Sequence, residues 1–170
     1  MHCPNSGQLG EDLVAQWLQS TGWIILHRRF SSRWGEIDII AEYDRKAKEA
    51  REQGSRGEVG KLRTQYSILA FVEVKTRSSG SWDAGGRSAI TPQKQAKIWR
   101  TAGIFLAQYP EKADYSCRFD VAIVYCQRIS KNLTGVTANQ EALATSSVPG
   151  YKFKLQEYIL AAFDSSIDNG

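Results

Sequence analysis

Two carboxylates and a lysine stand where apolar strands should carry none. Glu73 and Lys75 interrupt the run Ile68–Arg77, "ILAFVEVKTR", and lie two residues apart. Side chains two apart in a strand share one face. Asp38 interrupts a second apolar run, "GEIDIIAEY", between Ile37 and Ile39. Aspartate is depleted in strands and costly in a core unless it is paired or bound to a cation. If the two runs are neighbouring strands, Asp38 and Glu73 can face each other across the ladder. Facing carboxylates repel unless one is protonated or a cation lies between them. Lys75 is one available cation and a divalent metal is the other. Oxygen ligands alone suit Mg²⁺ or Mn²⁺, which bind through one or two carboxylates plus substrate phosphates. Such an ion would polarise a phosphodiester and acidify a bound water. Lys75 could orient that water or stabilise charge developing on the phosphate. The bland alternative is a buried ion pair with a spare carboxylate. His2 and His27 are the only histidines, which disfavours a histidine-based zinc site.

The elements that must position these residues are legible in outline. Leu9, Leu13, Val14, Trp17 and Leu18 form one helical stripe in Ser6–Gly22. Asn5 or Ser6 can cap its start, and Gly22 suits the position just past its end. Glu11 falls at the edge of the stripe and Asp12 points away from it. Trp23–Phe30 and Glu36–Tyr43 read as strands joined by a Ser-Ser-Arg-Trp-Gly turn. Ile68–Arg77 is the third strand, followed by a Gly/Ser-rich loop to Ala89. Thr91 as cap and Pro92 at the first helical position open a strong helix that stops before Pro110. Arg118–Tyr125 is a fourth strand. Gln127–Gly150 is polar and reads as a long loop. Tyr151–Phe163 suits a short strand and a helical turn. Trp17 and Trp99 fall on apolar helical faces and read as core. Helix, three strands, helix, strand and a tail element imply an α/β fold with a mixed central sheet flanked by helices.

At 170 residues the chain most simply forms one domain, 1–170. Asp44–Tyr66, with seven basic and four acidic residues and no apolar period, reads as a charged insertion. Most of the net charge of +4 resides there, so charge alone does not establish nucleic-acid binding. No apolar run spans a membrane and the N-terminus shows no signal-peptide core, which points to a cytoplasmic protein. Three cysteines without a C-x-x-C pair disfavour a disulfide framework. Lys94, Lys97 and Arg100 recur along one side of the second helix, as a solvated face or a phosphate-contacting stripe. Arg77 and Arg87 flank the Gly/Ser loop and could meet backbone phosphates. Trp34 and Trp82 could stack on unpaired bases or pack partly buried.

Five blocks carry a resemblance: "LGEDLVAQWLQSTGWIILHRRF", "WGEIDIIAEYD", "FVEVKTRSS", "AITPQKQAKIWRTAGIFLAQYP" and "RFDVAIV". Together they resemble the YraN-like family of the PD-(D/E)xK, restriction-endonuclease-like superfamily. That family is similar to archaeal Holliday-junction resolvases. The resemblance covers Gly7 to about Tyr125, and more loosely the tail to Phe163. It implies a restriction-endonuclease-like fold and a Mg²⁺- or Mn²⁺-dependent nuclease hydrolysing DNA, including branched or structured DNA. It implies that Asp38 and Glu73 hold the metal, that Lys75 is the catalytic lysine and that Glu11 reaches the same site from the helix. Lys94 falls on the family's helix lysine, and a symmetric junction invites a homodimer. The alternative is a nucleic-acid-binding protein that keeps the nuclease scaffold without efficient catalysis. Two departures stand out. Ile37, not proline, precedes Asp38, and the 44–66 segment lengthens a hairpin that is short in the family. A longer surface loop costs only about 0.6 kcal/mol per doubling, so the two strands can still pair.

Overall fold

The computed structural model describes residues 3, 5–44, 67–78, 90–130 and 141–164. Helix α1 (Ser6–Ser20) is followed by strands β1 (Ile24–Ser32), β2 (Gly35–Asp44) and β3 (Ser67–Ser78). Helix α2 (Pro92–Gln108) then leads to β4 (Ser116–Arg128), β5 (Ala144–Val148) and β6 (Tyr151–Phe163). The six strands form one sheet in the order β1-β2-β3-β4-β6-β5. Only β3 and β4 run parallel; the other pairs are antiparallel. A parallel pair needs a crossover, and α2 supplies it. The result is a mixed α/β sheet with a helix on each face, a restriction-endonuclease-like arrangement. Of the segment expected as a charged insertion, Asp44–Tyr66, Asp44 ends β2 and 45–66 lie outside the described residues. Among the described residues no helix is long and apolar enough to cross a membrane.

The apolar run of β3 is continuous because both of its faces are buried. Ala70 and Val72 join Ile39, Ala41, Ala122, Val124, Phe153 and Leu155 under Leu13, Val14 and Leu18 of α1. Leu69 and Phe71 join Ile37, Ile40, Phe119, Val121 and Ile123 under Ile98, Ala102 and Phe105 of α2. Gly10 lets α1 come down on β3: a Cβ there would overlap the hydroxyl of Thr76. The helix ends follow local chemistry. Thr91 accepts a hydrogen bond from the Lys94 N–H at 3.2 Å, with Pro92 in the first turn. Gly22, at φ 98, occupies the left-handed position after α1, and the Trp23 N–H returns to Leu18 O. At the other end of α1, Asn5 takes the cap position without a side-chain hydrogen bond.

Three expectations are corrected. Part of the polar stretch 127–150 is strand: β4 continues to Arg128, and Ala144–Val148 pairs with β6 at the sheet edge. A short polar edge strand has no apolar face to advertise it. The signal that could have found it is Pro149–Gly150, a turn in which Gly150 has φ 82. Second, Tyr151–Phe163 is strand throughout, without a helical turn. Its end is bent instead, with Ala161 at φ 46, and Phe163 stacks on Phe119. Third, Trp99 is 42% exposed. The buried stripe of α2 runs through Ile98, Thr101, Ala102 and Phe105, and Trp99 falls one step off it. Trp17 does pack against the α1-side core, with its ring 4.9 Å from that of Tyr158.

Asp120 explains the bend in β6. It is fully buried and accepts from Arg118 Nε at 2.9 and 3.0 Å, Tyr158 OH at 2.8 Å and the Ala161 N–H at 3.0 Å. The β4–β6 register shifts at this point, between Phe119 and Val121. Burial and then the nearby Asp120 charge push the Tyr158 phenol far above its usual range, so it stays a donor. Removing the charged acceptor that the other members share costs about 3–5 kcal/mol, because they are left unsatisfied. Asp120→Ala is therefore expected to lose that much in urea unfolding, and Tyr158→Phe only about 1 kcal/mol. Equal losses would count against this account.

Candidate active site

β2 and β3 pair from Asp44↔Ser67 to Ile39↔Val72 and then part. One step beyond the last pair stand Asp38 and Glu73. The Val74 N–H, which has left its partner strand, donates to Asp38 Oδ2 at 2.7 Å. Asp38 thus replaces a backbone carbonyl where the ladder opens. On its other side, β1 pairs β2 at Arg28↔Ile39 and Phe30↔Ile37, with no pair at Arg29 and Asp38. Arg29 has φ 52, in the left-handed region that a non-glycine residue rarely adopts. The faces of β2 slip here too. Ile37 and Ile40 pack on the α2 side, whereas Ile39 and Ala41 pack on the α1 side. The irregularity places Asp38 in the seam between strands rather than squarely on one face.

Glu73 is buried, on the α2 side of β3. Its Oε1 lies 3.1 Å from Lys75 Nζ and 3.3 Å from Lys94 Nζ. Its Oε2 is buried with no hydrogen-bond partner among the described residues. An unsatisfied buried acceptor costs about 1–3 kcal/mol, and more when charged. Asp38 carries the second unusual charge. Its carboxyl is pushed up to about 7, first by burial and then by the Glu73 charge, against the opposing Val74 hydrogen bond. Two carboxylates at an open seam, one oxygen orphaned and one proton retained near neutrality, are residues that a cation would fit. The donor set is all oxygen, as Mg²⁺ or Mn²⁺ requires. Asp38 and Glu73 are the residues that could hold such an ion. Among the described residues no group of three potential ligands comes together.

Glu11 is buried but engaged. It accepts from Arg29 Nε at 2.8 Å and Nη2 at 3.2 Å, with Arg28 Nη2 at 3.7 Å. Arg28 also pairs with Asp12 at 2.9 Å. Neither arginine is among the residues expected at the site. The available signal was "HRRF", two guanidinium groups in a strand facing the Asp38 run. Lys94, read as part of a solvated face or a phosphate-contacting stripe, has its ammonium 3.3 Å from Glu73 Oε1. Lys97 is exposed, with its Cβ 3.8 Å from where a Cβ on Gly35 would lie. Arg77 lies on β3 two residues beyond Lys75. Arg87 and Trp82 fall outside the described residues.

A family model described as "Uncharacterised protein family UPF0102" matches residues 10–124. The chain belongs to the UPF0102 family. A UPF0102 protein of Trichormus variabilis is 60% identical over 164 residues, which is 96% of this chain and 97% of that one. One from Nostoc sp. (strain PCC 7120) is 58% identical over 163 residues, 96% of each chain. One from Synechocystis sp. (strain PCC 6803) is 42% identical over 164 residues, 92% of this chain and 96% of that one. The UPF0102 match contains Glu11, Asp38, Glu73, Lys75, Lys94 and Lys97. It ends inside β4, before β5 and β6.

The raised Asp38 carboxyl has a direct consequence for stability. Between the ordinary aspartate range and about pH 7 the folded chain holds a proton that the unfolded chain has lost. Its contribution is fully present below the ordinary range and is lost as pH rises through about 7. Asparagine at 38 would stay neutral and keep an acceptor for the Val74 N–H. In EDTA, Asp38→Asn should therefore melt higher than wild type at about pH 8, and the gap should narrow at about pH 5. A gap that is flat with pH would exclude a raised Asp38.

Proposed function

We propose that this chain is a metal-dependent nuclease-type protein hydrolysing DNA phosphodiesters, of the PD-(D/E)xK superfamily and akin to archaeal Holliday-junction resolvases. The observation that carries the reading is the orphaned Glu73 Oε2 beside a proton-retaining Asp38, with two lysines on the other Glu73 oxygen. Asp38 and Glu73 would hold Mg²⁺ or Mn²⁺. When bound, the ion would supply Lewis-acid polarisation of the phosphate and a more acidic water. Lys75 would stabilise charge developing on the phosphate. Its attachment to Glu73 Oε1 keeps the ammonium oriented before substrate arrives. Lys94, on the same oxygen, adds a second positive charge from α2. Arg77 and Lys97 would take neighbouring phosphates, and a homodimer would match the two-fold symmetry of a branched substrate.

One observation favours a second reading, a nucleic-acid-binding scaffold without efficient catalysis. Glu11, expected to reach the metal, is held by Arg29 on both oxygens. A cleavage assay on duplex, single-stranded and four-way-junction DNA with Mg²⁺ or Mn²⁺ separates the two. Under the nuclease reading wild type cuts, Asp38→Asn and Glu73→Gln do not, and Lys75→Ala falls about 10²–10³-fold, the usual loss for one charge-stabilising donor. Binding without cutting by wild type would select the scaffold reading. Cutting that survives Asp38→Asn would move the chemistry elsewhere.

A further inference from the structure

The turn between β1 and β2 carries Trp34, which is 36% exposed. Two guanidinium groups lie over its ring: Arg33 at 4.9 Å from the same turn, and Arg100 at 4.6 Å from α2. Neither arginine has a carboxylate partner among the described residues. The turn has a further fastening to the helix besides Arg100. That contact is made by Ser32 Oγ and Thr101 Oγ1 at 2.8 Å, with Lys97 packed over Gly35. What remains is an exposed aromatic plate that holds two cations, neither paired with a carboxylate among the described residues, with exposed Lys97 alongside. Such a plate restricts the rotamers of both arginines before any anion arrives, which lowers the ordering cost of binding.

The position of the plate gives it a partner. Arg100 lies six residues along α2 from Lys94, whose ammonium is on Glu73. At 1.5 Å per residue that is about 9 Å. That is short enough for one nucleic-acid strand to reach both points.

We propose that Arg33, Trp34 and Arg100 form a backbone clamp for the nucleic acid: the two guanidinium groups, pre-ordered on the indole, grip phosphates of the strand that is presented to Glu73, close to the bond cut. The clamp rests on the nuclease-type reading for its substrate, but it is a binding device and is tested without turnover. Lys75 and the carboxylates act at one phosphate. The clamp fixes which way the strand runs away from it.

The test is fluorescence anisotropy in EDTA with a labelled duplex and a four-way junction, titrated with salt, for wild type, Arg33→Gln/Arg100→Gln and Trp34→Ala. Melting curves check that each variant is folded. Losing two phosphate contacts should flatten the slope of log K against log salt by about 1.8, at about 0.9 per contact. Trp34→Ala should weaken binding several-fold with little change in slope, because it disorders the cations without removing them. A series of duplexes with single uncharged methylphosphonate linkages locates the grip. Certain linkages should weaken wild type and leave the double arginine variant unaffected. An unchanged slope in the double variant, full affinity in Trp34→Ala, or no linkage that couples to the arginines would each overturn the clamp. Wild type that binds no nucleic acid overturns it together with the nuclease reading. Binding with the expected slopes but no cleavage with Mg²⁺ keeps the clamp and removes only the catalysis.

Discussion

At Val74 the backbone of β3 loses one neighbour, and the Asp38 carboxylate takes over that neighbour's hydrogen bond at 2.7 Å. The rest of the site is arranged around this substitution. Beyond it, among the described residues, β3 is paired with β4 and not with β2, as far as Ser78. Glu73 and Lys75 therefore stand at a notch in the sheet instead of in its middle. The left-handed Arg29 and the slipped faces of β2 are the same event seen from β1. Both strands give up regular pairing at one level, and the side chains released there meet Glu11 on α1 and Glu73 on β3. α2 closes the notch from the other face with Lys94.

The buried carboxylates make a useful comparison. Glu42 is satisfied by Lys112 at 2.7 Å and Tyr115 OH at 3.2 Å. Asp120 is satisfied on both oxygens. The same chain can therefore bury an acid and meet its needs in full. Glu73 is treated differently: two ammonium groups crowd one oxygen while the other is left bare. Local rules broken at one place in an otherwise consistent fold are the expected mark of a site kept for something other than stability.

Much of this was legible in the chain. Thr91 and Pro92 announce the start of α2, and the continuous apolar runs of β2 and β3 announce two buried strands. Charges inside those runs single out Asp38, Glu73 and Lys75. What escaped depends on tertiary contacts that carry no local period. β5 is polar and lies at an edge. The bend of β6 is imposed by Asp120, far away in sequence. Trp99 differs from a core position by a single helical step. The clasp of Glu11 by Arg29 needs a backbone conformation that no propensity favours for arginine. Lys94 reads as one of three evenly spaced cations, and only the closeness of β3 turns it inward.

Asp120 also bears on where the molecule can be divided. The family match ends at residue 124, inside β4, which would suggest a minimal core with an optional tail. Yet Asp120 lies within the match and two of its partners, Tyr158 and Ala161, lie outside it. Phe153 and Leu155 of β6 fill the layer beneath α1. Cutting the chain at that boundary would strand a buried acid and open the hydrophobic floor under the helix that bears Glu11. The last two strands are a keystone, and the limit of the shared pattern is not a seam at which the molecule comes apart.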